Sequence, residues 1–162
     1  MSAGPRIRLG TDADGPRCAD LIRDVFAEYP GCLFLPEEMP ELAALASHFA
    51  ARGGRLWVAE VGGDLVGCLG VDRAPLTDGM ELHKLYVARP ARGHGLARRL
   101  CEQAEAFARE RGAGFVELWT DTRFLEAHRF YERLGFTRLV GRRALDDASR
   151  SYEFHYRKRL TP

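Results

Sequence analysis

The apolar positions of this chain recur with two periods, and the places where the period changes lay out its elements. Arg6 to Leu9 is short enough for an edge strand, and Thr11 or Asp12 is placed to cap a helix in which Cys18, Leu21, Ile22, Val25 and Phe26 fall at helical spacing. Tyr29 to Pro36 is apolar but broken by Pro30, Gly31 and Pro36, so no regular element runs through it. A loop of this kind either covers a pocket or simply packs. Leu42, Leu45, Ala46 and Phe49 share one face of a second expected helix, Glu41 to Arg52, with Gly53-Gly54 as its stop.

The period then shortens. Arg55 to Val61 and Leu65 to Val71 are rich in strand formers, and Gly62-Gly63-Asp64 between them reads as a hairpin turn. Glu81 to Val87 is a further strand, ended by Pro90. Beyond it Ala97, Leu100, Cys101, Ala104, Phe107 and Ala108 form one apolar stripe, with Arg98, Arg99, Glu102, Glu105 and Arg109 opposite, so a long amphipathic helix is expected. Gly112 and Gly114 stop it. Phe115 to Trp119 reads as a buried strand, and strand, helix and strand make a crossover unit whose two strands run parallel. Ala127, Phe130, Tyr131 and Leu134 predict a shorter helix closed by Gly135, and Phe136 to Val140 and Glu153 to Arg157 a closing strand pair around the polar stretch Asp146 to Ser151. No repeat or linker interrupts this series. The fold class is α/β: one domain over residues 1–162, with a central mixed sheet of about six to seven strands flanked by about four helices.

Composition narrows the partners. Of 162 residues, 46% are hydrophobic, enough for a substantial core, while 24 basic and 23 acidic residues leave a net charge of +1. Such a balance gives no global footprint for nucleic acid or an anionic membrane, so neither is expected as a partner. Cys18, Cys32, Cys68 and Cys101 show neither Cys-x-x-Cys spacing nor a matching His pair, so no metal site is expected and free thiols in a reducing cytosol are. No stretch has signal-peptide character or transmembrane length, which places the protein in the cytoplasm.

The chemistry gathers at Arg92-Gly93-His94-Gly95-Leu96-Ala97, between a strand and the long helix. A Gly-rich turn at a helix start exposes free N–H groups at the positive end of the helix dipole, a seat for phosphate oxygens. The alternative is that Gly95 and Ala97 merely let the helix start pack closely on the sheet. Taken with the Glu-Leu-His-Lys-Leu-Tyr-Val strand before it (Glu81 to Val87) and Phe130-Tyr131-Glu132-Arg133-Leu134-Gly135-Phe136 after it, the chain resembles the GNAT superfamily of acetyl-CoA-dependent N-acyltransferases. The resemblance is strong from Glu81 to Phe136 and consistent in element order before it. The family signature is Arg or Gln, two residues, Gly, one residue, then Gly or Ala, and Arg92, Gly95 and Ala97 match each place.

That resemblance implies acetyl-CoA as acyl donor, its pyrophosphate on the backbone amides of Arg92, Gly93, His94, Gly95, Leu96 and Ala97, with Arg92 adding positive charge. It also implies that the backbone of Leu85, Tyr86 and Val87 splays from its neighbour to pair with the pantetheine amides. Tyr131, four residues before Gly135, is implied to protonate the departing thiolate; the plainer reading is a core tyrosine whose hydroxyl finds any partner. Phe124 departs from the pattern, since many relatives carry Asn seven residues before this Tyr, while Ala127 keeps it.

An attacking amine must lose a proton, so a carboxylate or histidine is needed. Glu81 is the leading base, with a bystander at a strand edge as the other reading; His83 shares its face, and Asp121 is either a lesser candidate or a helix cap. For the acceptor, Leu33, Phe34 and Leu35 favour a small molecule with an apolar body, or a peptide N-terminus, over a polyamine. The expected function is transfer of acetyl to a primary amine by direct attack in a ternary complex. The rival is a non-catalytic acyl-CoA sensor of the same fold; a toxin-like acetyltransferase acting on aminoacyl-tRNA is disfavoured by the neutral charge. Monomer and homodimer are equally compatible.

Overall fold

The structure, a computed structural model, describes residues 3–161. Its elements in chain order are β1 (Arg6–Leu9), α1 (Gly15–Phe26), α2 (Leu45–Ala50), β2 (Arg55–Val61), β3 (Asp64–Arg73), β4 (Met80–Val87), α3 (Leu96–Glu110), β5 (Phe115–Asp121), α4 (Leu125–Arg133), β6 (Thr137–Ala144) and β7 (Tyr152–Arg159). The seven strands form one mixed sheet in the order β1-β2-β3-β4-β5-β7-β6, antiparallel except for the β4/β5 pair. That pair flanks the α3 crossover, as the strand-helix-strand pattern predicts.

Strand alternation sends one set of side chains to each face and so makes two cores. Trp57, Ala59, Leu69, Val71, Met80, Leu82, Val116 and Leu118 meet the apolar stripes of α3 and α4. Leu56, Val58 and Cys68 meet α1 and α2 through Ile22, Leu45 and Phe49. Leu100 in α3 and Ile22 in α1 are fully buried, each contributing roughly 1.5–3 kcal/mol by leaving water. All four cysteines are free and buried. Among the described residues, no helix is long and apolar enough to cross a membrane.

The helix expected over Glu41 to Arg52 is the main departure. Pro40–Ala44 forms a 3-10 turn, Ala44 breaks it with φ −149° and ψ 62°, and only Leu45–Ala50 is α-helical. Asp12 explains the fresh start: its carboxylate accepts from the Ser47 N–H at 2.8 Å and the Ser47 hydroxyl at 2.5 Å, capping the shorter helix across 35 residues of sequence. The closing pair is also longer than the apolar run suggested. β6 extends to Ala144 because an irregular register between Arg138 and Arg142, with Gly141 at φ 94°, absorbs extra residues.

Candidate active site

The cleft exists because β4 stops pairing halfway. Met80, Glu81 and Leu82 pair with Val116, Glu117 and Leu118, and no pair with β5 follows. The cause lies on the other edge of β4. Lys84 takes φ 56°, a left-handed conformation uncommon for a side-chain-bearing residue, and the β3/β4 register shifts between Cys68 and Gly70. This bulge turns Leu85, Tyr86 and Val87 away from β5, leaving their β5-facing backbone without a strand partner. A cleft of about 660 Å³ opens there, lined by Leu85, Tyr86, Val87, the α3 start, Tyr131 and, at its far end, Glu81 and Glu153.

Backbone dominates the α3 end. The amide N–H groups of residues 93 to 98 meet no acceptor among the described residues, the first paired one being Arg99 N–H on the Gly95 carbonyl at 3.1 Å. Gly93 and Gly95 sit at φ 82° and 77°, which points this row of donors outward, and a Cβ at either would meet only open space. Close packing is therefore not what glycine supplies at Gly95; the backbone conformation is. Leu96 buries its side chain in the core and Ala97 packs beside it, so the helix start is anchored while its amides stay free.

The expected positive charge of Arg92 is spent elsewhere. Its guanidinium makes two 2.7 Å bonds to the Glu28 carboxylate and its Nε donates to the Val87 carbonyl at 2.9 Å, tying the end of α1 to the end of β4. Its own N–H donates to the Arg89 carbonyl at 3.2 Å, so it lies outside the free row. The cation that sequence reasoning passed over is Arg98, which lines the cleft one residue beyond the motif and has no ion-pair partner among the described residues. His94 is exposed, and its amide belongs to the free row.

Tyr131 reaches the cleft from α4, packed against Phe130, Phe136 and Tyr156. Its hydroxyl makes no hydrogen bond among the described residues, contrary to a core tyrosine with a satisfied phenol. Burial holds its pKa well above the usual phenol value, so it stays protonated and remains a donor. Phe124, where relatives carry Asn, packs its ring 4.7 Å from Tyr29 and 6.2 Å from Phe26, and Phe26 in turn meets Phe34 and Tyr86. Aromatic packing between α1, its following loop and α4 thus occupies the cleft wall at this position.

Side chains dominate the opposite end. Glu81 and His83 point to the same face of β4, and Asp72, directly paired with Glu81 on β3, joins them. His83 Nε2 lies 2.8 Å from Asp72 Oδ1 and 3.1 Å from Glu81 Oε2. Asp121 is committed otherwise: its carboxylate holds the Arg123 guanidinium at 2.8 and 2.9 Å and accepts from the Arg123 N–H, organising the turn into α4. The Asp121 side chain does not cap α4, whose N-cap is Phe124; its partner is Arg123 in the turn before the helix. Glu153 on β7 receives Arg143 Nε at 2.9 Å on Oε1, and Arg143 also lies over the Trp119 ring. Burial, with Asp121 and Glu81 nearby, holds the Glu153 carboxyl above its ordinary pKa despite that pairing.

Two loops close this end. Ser149 accepts from the Leu33 N–H at 2.8 Å, and Glu38 accepts from the Ala148 N–H at 2.9 Å, so the apolar loop after α1 meets the polar loop between β6 and β7. Tyr29, Cys32 and Leu33 consequently line the cleft, the first of the two roles open to that loop. The Asp72 partnership was missed because the register that brings it beside Glu81 depends on the β3/β4 connection and bulge, which no periodicity reveals.

Comparison with known proteins agrees with this arrangement. The family model described as "Acetyltransferase (GNAT) family" matches residues 19–136. The chain is 38% identical over 138 residues to an uncharacterized N-acetyltransferase, YjgM, of Escherichia coli (strain K12), covering 82% of this chain and 81% of that one. It is 32% identical over 117 residues to the probable N-acetyltransferase camello of Xenopus tropicalis, of whose length that match spans 52%. Among solved structures, a GNAT-family acetyltransferase from Staphylococcus aureus Mu50 superposes with TM-score 0.83 over 98% of this chain and 100% of its own, at 18% identity. A putative acetyltransferase from Salmonella typhimurium, solved with its cofactor acetyl-CoA, superposes with TM-score 0.75 over 98% and 95%, at 17% identity.

Proposed function

The chain belongs to the GNAT family of acetyltransferases, and from that premise we propose that it moves an acetyl group from acetyl-CoA to a primary amine of a small molecule or peptide, by direct attack within a ternary complex. The observation that carries this reading is the convergence on one cleft of six consecutive unpaired amides, an unpaired strand edge and an unpaired tyrosine hydroxyl. These groups fit a phosphate-bearing, amide-bearing thioester: the amides of residues 93 to 98 suit phosphate oxygens, and the free backbone of Leu85 to Val87 suits an amide-containing arm. When bound, acetyl-CoA supplies the activated acyl group.

The chain's own residues do the rest. Glu81 has one carboxylate oxygen engaged by His83 and the other without a partner among the described residues, and that free oxygen takes the proton of the attacking amine. Tyr131, kept protonated by burial, gives its hydroxyl proton to the sulfur as the thiolate leaves. Cys101 takes no part. It is buried in the α3 stripe and its thiol is pushed up to about 12 by burial, so a thiolate nucleophile there is disfavoured. The apolar wall of Tyr29, Leu33 and Phe124 favours an acceptor with an apolar body beside its amine.

Free-thiol release from acetyl-CoA across a panel of primary amines tests the reading, run beside Tyr131→Phe. Turnover that Tyr131→Phe reduces without loss of acetyl-CoA affinity supports it. Tight acetyl-CoA binding with no thiol release from any amine would favour the sensor alternative, which the loss of Asn at Phe124 permits.

A further inference from the structure

His83 has a partner that general-base catalysis by Glu81 does not itself require. Asp72 lies on β3, directly across from Glu81, with its side chain only 7% exposed, and it takes the shorter of the two bonds from His83 Nε2, 2.8 Å against 3.1 Å for Glu81. Opposite His83 stands Gly70, where a Cβ would run into the Phe49 ring; that ring in turn lies 5.8 Å from the imidazole. The imidazole is thus seated by an aromatic ring and a buried carboxylate, with Glu81 completing the row on the same face of β4. Resting on the reading of Glu81 as general base, we propose that His83 is a positioning residue: anchored by Asp72, it orients the Glu81 carboxylate toward the cleft, where it accepts the amine proton.

The neighbouring charges support a protonated ring. Burial opposes the charge on His83, but the hydrogen bonds to Asp72 and Glu81 outweigh it and raise its pKa to about 9. A ring protonated at neutral pH does not serve as the base itself, which divides the roles of His83 and Glu81. The other titratable groups around it do not supply a competing positive charge. His48 on α2 is held below its ordinary pKa, chiefly by burial and then by Arg52, while Lys84 is tied to Glu41 at 2.7 Å. On β5 the Glu117 carboxylate, next to Glu81 in register, is held by His155 at 2.8 Å and Arg157 at 2.9 Å. When the ring loses its charge it keeps the Nε2 proton that faces the two carboxylates, but the bonds to Asp72 and Glu81 are no longer charge-assisted and Glu81 is held less firmly.

The test pairs a ring titration with pH–rate profiles. His83 is followed by NMR in the full protein without substrate, in wild type, Glu81→Gln and Asp72→Asn, while kcat/KM is measured against pH in wild type, Glu81→Gln and His83→Gln; the acceptor's own ionisation is common to all. His83→Gln keeps an N–H donor without the charge. Expected are a ring midpoint near 9 in wild type, lowered by about one unit or more in each carboxylate variant. For activity, an alkaline fall in wild type is expected to vanish in His83→Gln. A ring that titrates near 6.5 as a free histidine does, or a His83→Gln profile superimposable on wild type while Glu81→Gln is inactive, overturns the positioning role alone. Full activity of Glu81→Gln overturns the general-base reading and the inference with it. Unchanged acetyl-CoA affinity shows each variant folded; should His83→Gln not fold, Asp72→Asn carries the rate profile, with its alkaline fall expected about one unit lower.

Discussion

The two ends of the cleft are made of different material. At the α3 end the polar groups are mostly backbone, and among the described residues they are left unpaired: six amides and a strand edge, with the Tyr131 hydroxyl and the Arg98 guanidinium from side chains. At the other end they are side chains, and nearly all have partners: Glu81 with His83, Asp121 with Arg123, Glu153 with Arg143. An unpaired row held open by local conformation is a prepared site, because its donors are already aimed and need no side chain to be reordered. A paired set is a network that an acceptor must join or partly replace. The first kind of site depends on where chain breaks fall, and a short motif is enough to specify it. The second depends on which side chains meet across strands far apart in sequence.

The contrast can be broken most strongly at Gly95. Gly95→Glu places a carboxylate at the positive end of α3 and a side chain at φ 77°, so acetyl-CoA affinity is expected to fall at least about a hundredfold by calorimetric titration, with the protein still folded. At the other end Glu81→Gln is expected to lower kcat/KM by about a thousandfold and leave acetyl-CoA affinity within twofold, measured by thiol release and titration. Tyr131→Phe stands between the two ends. Its expected loss is about a hundredfold in kcat, since the hydroxyl acts only as the thiolate departs.

Smaller effects sharpen the comparison. Arg143→Ala frees Glu153 and uncovers Trp119, and is expected to raise the acceptor KM by about two- to tenfold while sparing acetyl-CoA affinity. The smallest concerns stability and pH. His83 has its folded-state pKa raised to about 9 from 6.5, so the stability it contributes is fully present below 6.5 and is lost as pH rises through 9. Thermal melts should therefore show Tm declining over that window more steeply in wild type than in His83→Gln.

How much of this was legible in the sequence follows the same division. The strand-helix-strand crossover around α3 and the closing strands were readable because their apolar periods are long and uninterrupted. So was the turn before α3, because Gly93 and Gly95 declare their conformation by residue type alone. The helix expected over Glu41 to Arg52 is shorter because Asp12, distant in sequence, caps a fresh start at Leu45 through the Ser47 N–H. Arg92 was assigned to phosphate by position, yet Glu28 claims its guanidinium, a tertiary contact spanning 64 residues. The Asp72 partner of His83 was invisible for the same reason: its place beside Glu81 comes from a hairpin register next to the bulge at Lys84, and local pattern carries no record of that.

The central claim is that the free amides at the start of α3 seat acetyl-CoA, and calorimetric titration of the wild-type protein with acetyl-CoA, with desulfo-CoA and ATP as controls, tests it most directly. The account expects saturable one-to-one binding of acetyl-CoA and of desulfo-CoA, much weaker heats with ATP, and loss of binding in folded Gly95→Glu. No binding of acetyl-CoA to folded wild-type protein, or full binding by Gly95→Glu, would contradict it.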